Sequence, residues 1–438
     1  MKNPRPEILL ASIALLLLPP TVLADQAETW HEWIDEQAET IHGDVVDWRR
    51  HFHANPELSN REFETAAYIA DFLESLDIEV ETGIAHTGVV GILEGGQPGP
   101  VVGLRADMDA LPVPSRADLP FSPDVTSEYL GEEVPVSHAC GHDSHMAMLM
   151  GVARIFAERR DELPGTIKFI FQPAEEGSPP GEEGGAELMV AEGVLSDPDV
   201  DVVFGQHIWA PSPAGRIGYR PAGTMAASDQ FTITVHGKQT HGSTPWTGVD
   251  PITTASQIVP GLNTIISRQT ELTKAAAVIS VGRVRAGVRN NIIPEEAELI
   301  GTIRTLDPDM QDKIHEDIRR TAEHIAASQG AEVTVDIERG YPVTFNDPDL
   351  TGRMAPSLER VAGEDIVVVD ALTAAEDFSF FQREVPGLYF FLGAAPEDIP
   401  LEDVAPHHTP DFRIEESAMT TGVRALASLA IDYMLQAQ

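Results

Sequence analysis

Cysteine is nearly absent: Cys140 is the only one in 438 residues. No internal disulfide can form, so an apolar core must hold the fold, and the chain is long enough to build two domains. Basic residues are scarce, with 29 Lys and Arg against 70 Asp and Glu and a formal net charge of −41. Such a chain lacks the basic patches that neutralise phosphates, which excludes nucleic acid and anionic lipid as partners. The acidic residues are spread along the chain rather than gathered in a tail, as on a well-solvated surface suited to a saline environment. Long apolar runs are missing after the first 24 residues, so nothing later could span a bilayer.

Those first residues have the layout of a secretory leader. Lys2 and Arg5 precede the apolar run Ile8 to Leu18, then Val22, Leu23 and Ala24 offer a small-residue cleavage site after Ala24. A membrane anchor is the alternative, but the run has about half of the roughly 20 residues a spanning helix needs. The mature protein is therefore expected to be exported, periplasmic or secreted, and free of the membrane after cleavage.

Strands and helices alternate thereafter. Helical periodicity covers Glu28 to Trp48, Thr65 to Leu76 and Met146 to Phe156. Short apolar strands are predicted at Val89–Leu93, Val101–Leu104, Ile167–Phe171 and Val202–Phe204. The pattern then changes. Phe231 to Val235 alternates strictly; a helix at Pro251–Arg268 follows, then strands Ala277–Val284 and Glu296–Thr305, a helix at Pro308–Ser328 and a strand at Glu332–Ile337. That order, β-α-β-β-α-β, is the split βαβ of a ferredoxin-like unit. Buried elements resume with Ile366–Val369, Leu388–Leu392 and a helix from Glu416 to Leu435. The expected architecture is an α/β domain of residues 25–225 and 341–438, a mixed sheet flanked by helices, with a small α+β domain of residues 226–340 inserted.

Chemistry concentrates at the ends of the apolar runs. His138, Cys140, His142, Asp143 and His145 fall within eight residues, and a Cys-x-His pair can offer a thiolate and an imidazole to one metal or let the thiolate bridge two. A helix opening at Met146 would favour that thiolate through its dipole. His138, Asp143 and His145 are candidates for orienting the ligands. Glu175 and Glu176 follow the strand Ile167–Phe171; on an extended segment they would point apart, one binding metal and the other taking a proton. Asp107 and Asp109 follow another strand. His207 and His408 could arrive as imidazole ligands from distant strand ends. Cys140, His142, Glu176, His207 and His408 make five N, O and S donors, which suit two divalent transition ions such as zinc, manganese, cobalt or nickel rather than calcium or magnesium.

The landmarks taken together carry a resemblance. Arg49-Arg50-His51 with Asn55-Pro56-Glu57, Arg105 to Pro112, His138 to His145, Gln172 to Gly177, His241-Gly242, Asn291 to Pro294, Gly301 to Arg304, Glu376-Asp377-Phe378 and His408 span nearly the whole mature chain. In that order they resemble the superfamily of co-catalytic metallopeptidases that includes aminoacylase, carboxypeptidase G and the auxin-conjugate hydrolases. Within it they look most like the hippurate hydrolase and N-acyl-amino-acid amidohydrolase branch. The resemblance implies a catalytic α/β domain with an inserted dimerisation domain, hence a homodimer. It implies that Cys140, His142, Glu176, His207 and His408 hold the metals, with Cys140 bridging, and that Glu175 is the general base. It assigns Asp109 to orienting a ligand histidine, His241 to the reacting carbonyl, and Asn291 and Arg304 to the substrate carboxylate.

Three departures bear on substrate preference. Trp246 stands where the family often has His, Glu187 where it often has Lys, and Ser178 to Glu183 looks like an insertion. The expected activity is cleavage of the amide of an N-acyl or N-aroyl amino acid. The alternatives are a dipeptidase or carboxypeptidase, a carbamoyl-amino-acid hydrolase, or a non-catalytic binder of metals or conjugates. A pure binder needs no second carboxylate beside Glu176, and Glu175 is there.

Overall fold

A computed structural model describes residues 20–437, with side chains from residue 26. The leader thus lies outside the described residues except for Pro20 to Ala24, which begin helix α1 (Pro20–Thr40). The single helix expected over Glu28 to Trp48 is two, α1 and α2 (His42–Ala54). The division falls at Ile41, and Asp44 supplies the acidic first turn of α2. Helix α3 spans Phe63–Ser75 and helix α4 spans His142–Ala157. No helix among the described residues is long and apolar enough to cross a membrane.

The main sheet has eight strands. From one edge they are β1 (Glu79–Ile84), β2 (Gly88–Glu94), Pro164–Gln172, β3 (Gln97–Asp107), Val202–Pro213, Gly387–Ala395, Ile217–Tyr219 and Ile366–Val368. The four central strands, from Pro164–Gln172 to Gly387–Ala395, run parallel; β1 and β2 are paired antiparallel at one side, and Ile217–Tyr219 lies antiparallel to Gly387–Ala395 and parallel to Ile366–Val368 at the other. Alternate side chains feed two apolar layers. Phe169, Val202, Phe204 and Phe390 face a core with α1, α2, α4 and the C-terminal helix Ala418–Gln436. Ile170, Val203 and Tyr389 face a smaller one with Met189, Phe378 and Phe381. Burial on both faces is why these strands read as continuous apolar runs rather than alternating ones.

A second sheet has four antiparallel strands in the order Ala277–Ala286, Glu296–Thr305, Ala227–His236, Glu332–Glu338. Phe231, Ile233 and Val235 are buried on one face against helices Pro251–Thr264 and Pro308–Ser328. The helix expected to reach Arg268 ends at Thr264 and passes into a π turn, Ile265–Gln269. The chain enters and leaves this sheet side by side: Ala222–Met225 pairs with Thr344–Asn346, Met225 opposite Thr344. Inside that pair, the Ser228 N–H donates to Tyr341 O at 3.0 Å and the Tyr341 N–H donates to Ser228 Oγ at 3.1 Å.

Candidate metal centre

The candidate ligands converge on one side of the sheet, at the C-terminal ends of its parallel strands, where open α/β sheets bind ligands. Helix α4 begins at His142, one turn earlier than its apolar periodicity indicates, because the polar run 142–145 is itself buried. Gly141 is its N-cap, with φ of 97°, and leaves Cys140 just outside the helix. Asp143 ties α4 to α2: its Oδ2 accepts from Arg49 Nε and His53 Nδ1, both at 2.8 Å. His138, expected to orient a ligand, is buried with neither ring nitrogen hydrogen-bonded.

Glu175 and Glu176 do not sit on an extended segment. Ala174 is left-handed, with φ of 53°, and the two glutamates form a turn. Their N–H groups donate to the two oxygens of Asp109, at 3.1 and 3.0 Å. The side chains therefore converge instead of diverging: Glu175 Oε2 and Glu176 Oε1 lie 3.8 and 4.0 Å from His142 Nε2. His207 likewise falls inside its strand, because Ile208 and Ala210 stay buried and the pairing with Gly387–Ala395 runs past them.

Hydrogen bonds fix which ring nitrogens are free. A carbonyl can only accept, so His142 Nδ1 donates to Asp109 O at 2.8 Å and His207 Nδ1 donates to Ile208 O at 2.5 Å, which leaves Nε2 of each ring as the atom a metal could take. His145 and His407 are fully engaged. Each accepts a backbone N–H at Nε2, from Ile208 and Ala210, and each donates from Nδ1, to Asp107 Oδ1 and Cys140 O. His408 Nε2 instead approaches Cys140 Sγ at 3.3 Å and Glu176 Oε1 at 3.0 Å. Of the adjacent pair, His408 has the nitrogen a metal could use.

Two groups of potential ligands overlap at the thiol: Cys140, His142 and His207, and Cys140, Glu176 and His408. Cys140 Sγ is 3.5 Å from His207 Nε2, and the other spacings given above are 3 to 4 Å, roughly what donors bound to one transition ion show. His142 Nε2 is fully buried without a hydrogen-bond partner, ringed by Asp107, Glu175 and Glu176 at 3.8 to 4.0 Å. That is too far to bond and leaves room for a cation. The electrostatics agree. Burial opposes charge on His142, yet Asp107 and Asp109 outweigh it and raise the imidazole to about 10. Burial, then Glu176 and Glu175, push the Cys140 thiol well above its usual value, against the dipole effect expected from sequence. Both shifts mark a site short of positive charge, which a divalent ion would supply while displacing the two protons. The residues present fit such an ion.

Glu175 is the carboxylate with the most unusual surroundings. Burial first, then Glu376, Glu176 and Asp377, push it well above the ordinary carboxylate range. Arg105 anchors that neighbourhood without relieving it. Its fully buried guanidinium binds Asp107, Gln172, Glu376 and Asp377 at 2.7 to 3.0 Å. Arg105, Asp107, Glu376, Asp377 and Tyr341 received no individual role from the sequence. The signal for four of them was present, charged residues inside or beside apolar runs. A cavity of about 340 Å³ opens over the group, lined by Cys140, Glu175, His207, Trp209, Tyr341 and His408 among others.

His241, Asn291 and Arg304 are not brought there. His241 and Asn291 sit together on an exposed ribbon, with Gly242 N–H donating to Asn291 O at 2.9 Å. Arg304 lies in the small sheet and donates to Thr302 Oγ1. Among the described residues no hydrogen bond or ion pair joins the three to the candidate ligands.

Overlapping metal-ligand sets beside a buried carboxylate of raised proton affinity are what a metal-dependent hydrolase needs. Comparison with known proteins agrees: residues 103–432 match Peptidase family M20/M25/M40, and the chain belongs to it. It is 40% identical over 396 residues to thermostable carboxypeptidase 2 of Saccharolobus solfataricus, covering 89% of this chain and 96% of that one. It is 35% identical over 392 residues to an N-acetylcysteine deacetylase of Bacillus subtilis, covering 89% and 97%. Among solved structures, Bacillus subtilis YXEP, described as a dinuclear metal binding peptidase of the M20 family, superposes with a TM-score of 0.76 at 33% identity, covering 91% of this chain and all of the other. The protein is thus an amide-cleaving hydrolase of this family.

Proposed function

We propose that the protein hydrolyses N-acyl or N-aroyl amino acids to a carboxylic acid and a free amino acid. Cys140, His142, Glu176, His207 and His408 would hold two divalent transition ions, with Cys140 shared. Bound there, the ions would polarise the scissile carbonyl and acidify water. The observation that carries the reading is Glu175, buried at the ligand group with a raised proton affinity. It takes the proton of the attacking water as the C–O bond forms and returns it to the amine as the C–N bond breaks. Asp109 holds Glu175 and His142 in place through the contacts described above. His241 accepts the Ser243 N–H at Nδ1, so its proton is on Nε2, ready to donate to an oxyanion. Asn291 and Arg304 would bind the amino acid carboxylate. Because all three lie off the centre here, turnover requires closure of the small sheet or a contribution from a second subunit.

The same proposal makes the protein an exported homodimer. The leader at residues 1–24 supports export. The outer strand Ala277–Ala286, with Val278 and Val284 exposed, supports pairing between copies. Intact mass of the exported protein and light scattering test these two points; a chain starting at Met1, or a monomer at working concentration, would refute them. The 40% identity to a named carboxypeptidase keeps peptide cleavage as the second reading. A panel of N-acetyl, N-benzoyl, N-lauroyl and auxin conjugates with dipeptides separates the two. Glu175→Gln should retain its metal and lose about 10²- to 10⁴-fold in turnover; near-normal turnover would sink the mechanism.

A further inference from the structure

The peptide of Glu175 is held from both sides. Its N–H donates to Asp109 Oδ1, and its carbonyl accepts from the Tyr341 hydroxyl at 2.6 Å. Tyr341 is the point where the chain returns from the small sheet, bonded there to Ser228 in both directions. The preceding Gly340 N–H donates to Asp229 at 3.3 Å. Asp229 is buried and is gripped by Gln311 and His315 of the helix Pro308–Ser328, at 2.8 and 2.7 Å. The phenol is held far above its ordinary value by burial and by the carboxylates of Asp377 and Glu175, so it remains a donor across the working pH range.

We propose that Tyr341 is a positioning residue for the general base, fixing the Glu175 turn and linking it to the seating of the small sheet. The turn needs such a clamp because Ala174 occupies a left-handed conformation that a non-glycine residue keeps only when its surroundings enforce it. The inference rests on the reading of Glu175 as the base.

The test uses full-length, metal-loaded enzyme. Tyr341→Phe removes one oxygen and keeps the ring, so fold and metal content should be unchanged. Loss of one hydrogen bond should lower kcat about tenfold while KM moves less than about twofold. In a Glu175→Gln background the same change should cost less than about twofold, because a residue acting through Glu175 has nothing left to position. Wild-type kcat in Tyr341→Phe overturns the proposal. So does a raised KM at unchanged kcat, which would mark a direct substrate contact, and so does an equal loss in both backgrounds. Full turnover in Glu175→Gln alone would instead remove the base assignment beneath it.

Discussion

Single residues divide sharply between those a metal could use and those that only frame it. His407 and His408 are adjacent and both face the Cys140 thiol, yet only His408 also brings a ring nitrogen to Glu176, while His407 spends both of its nitrogens on backbone groups. His408→Ala should lower bound metal and turnover together, whereas His407→Ala should lower turnover with the metal largely retained; equal metal loss in both would contradict the assignment. Cys140→Ser, which removes the thiol common to both ligand groups, should reduce metal content and activity in parallel. If both survive, Cys140 is a small buried residue and the shared-ligand geometry is wrong. Glu62 offers a test by pH. Burial, then the charge of Asp109, push it up to about 8 from an ordinary 4.5, against donation by Thr87 Oγ1 and the Ala174 N–H. A raised acid pKa means that the folded state keeps a proton the unfolded chain has released. Its contribution to stability therefore falls as pH rises from about 4.5 to 8. Glu62→Gln should flatten that slope in thermal melts, and an unchanged slope would assign it to other groups.

At the scale of elements, the start of α4 sets the centre. Gly141 places Cys140 before the helix and His142 as its first residue, and a Cβ there would meet Ile208 Cγ2 at 2.3 Å. Gly141→Ala should cost stability, about 1 kcal/mol or more from the left-handed backbone alone, and should weaken metal binding by moving the thiol relative to His142. Normal metal affinity would show that the turn is more plastic than its packing implies. The same element shows what could be read from sequence. The core strands were legible as short continuous apolar runs, the small-sheet strands by period 2 and most helices by period 3.6, because each pattern reports burial directly. The start of α4 was not, because buried polar residues hide the helical stripe. The Glu175-Glu176 turn was missed because Ala174 carries no sign of its left-handed backbone, which the bonds to Asp109 and Tyr341 enforce. The roles of Arg105 and Glu376 were not assigned because the partners of a buried charge come from strands far apart in sequence.

For the whole molecule, the centre gathers many carboxylates around one guanidinium and a few imidazoles. A divalent ion that bound this arrangement and not the unfolded chain would stabilise the fold by mass action. Chelation should lower the melting temperature, and adding zinc or manganese back should restore it; an indifferent melting temperature would mean that the folded protein holds no structural stake in the ion. The pairing of Met225 with Thr344 has a broader consequence. Residues opposite each other in an antiparallel ladder are about 5 Å apart, a gap that a two-residue turn can close. We propose on that ground that everything between them is a cassette. Its removal, with such a turn in its place, should leave a shorter protein that folds and takes up metal but turns over nothing, having lost His241, Asn291, Arg304 and Tyr341 at once. Returning the missing segment as a separate chain would then ask whether catalysis needs a covalent tether, or only the presence of the part.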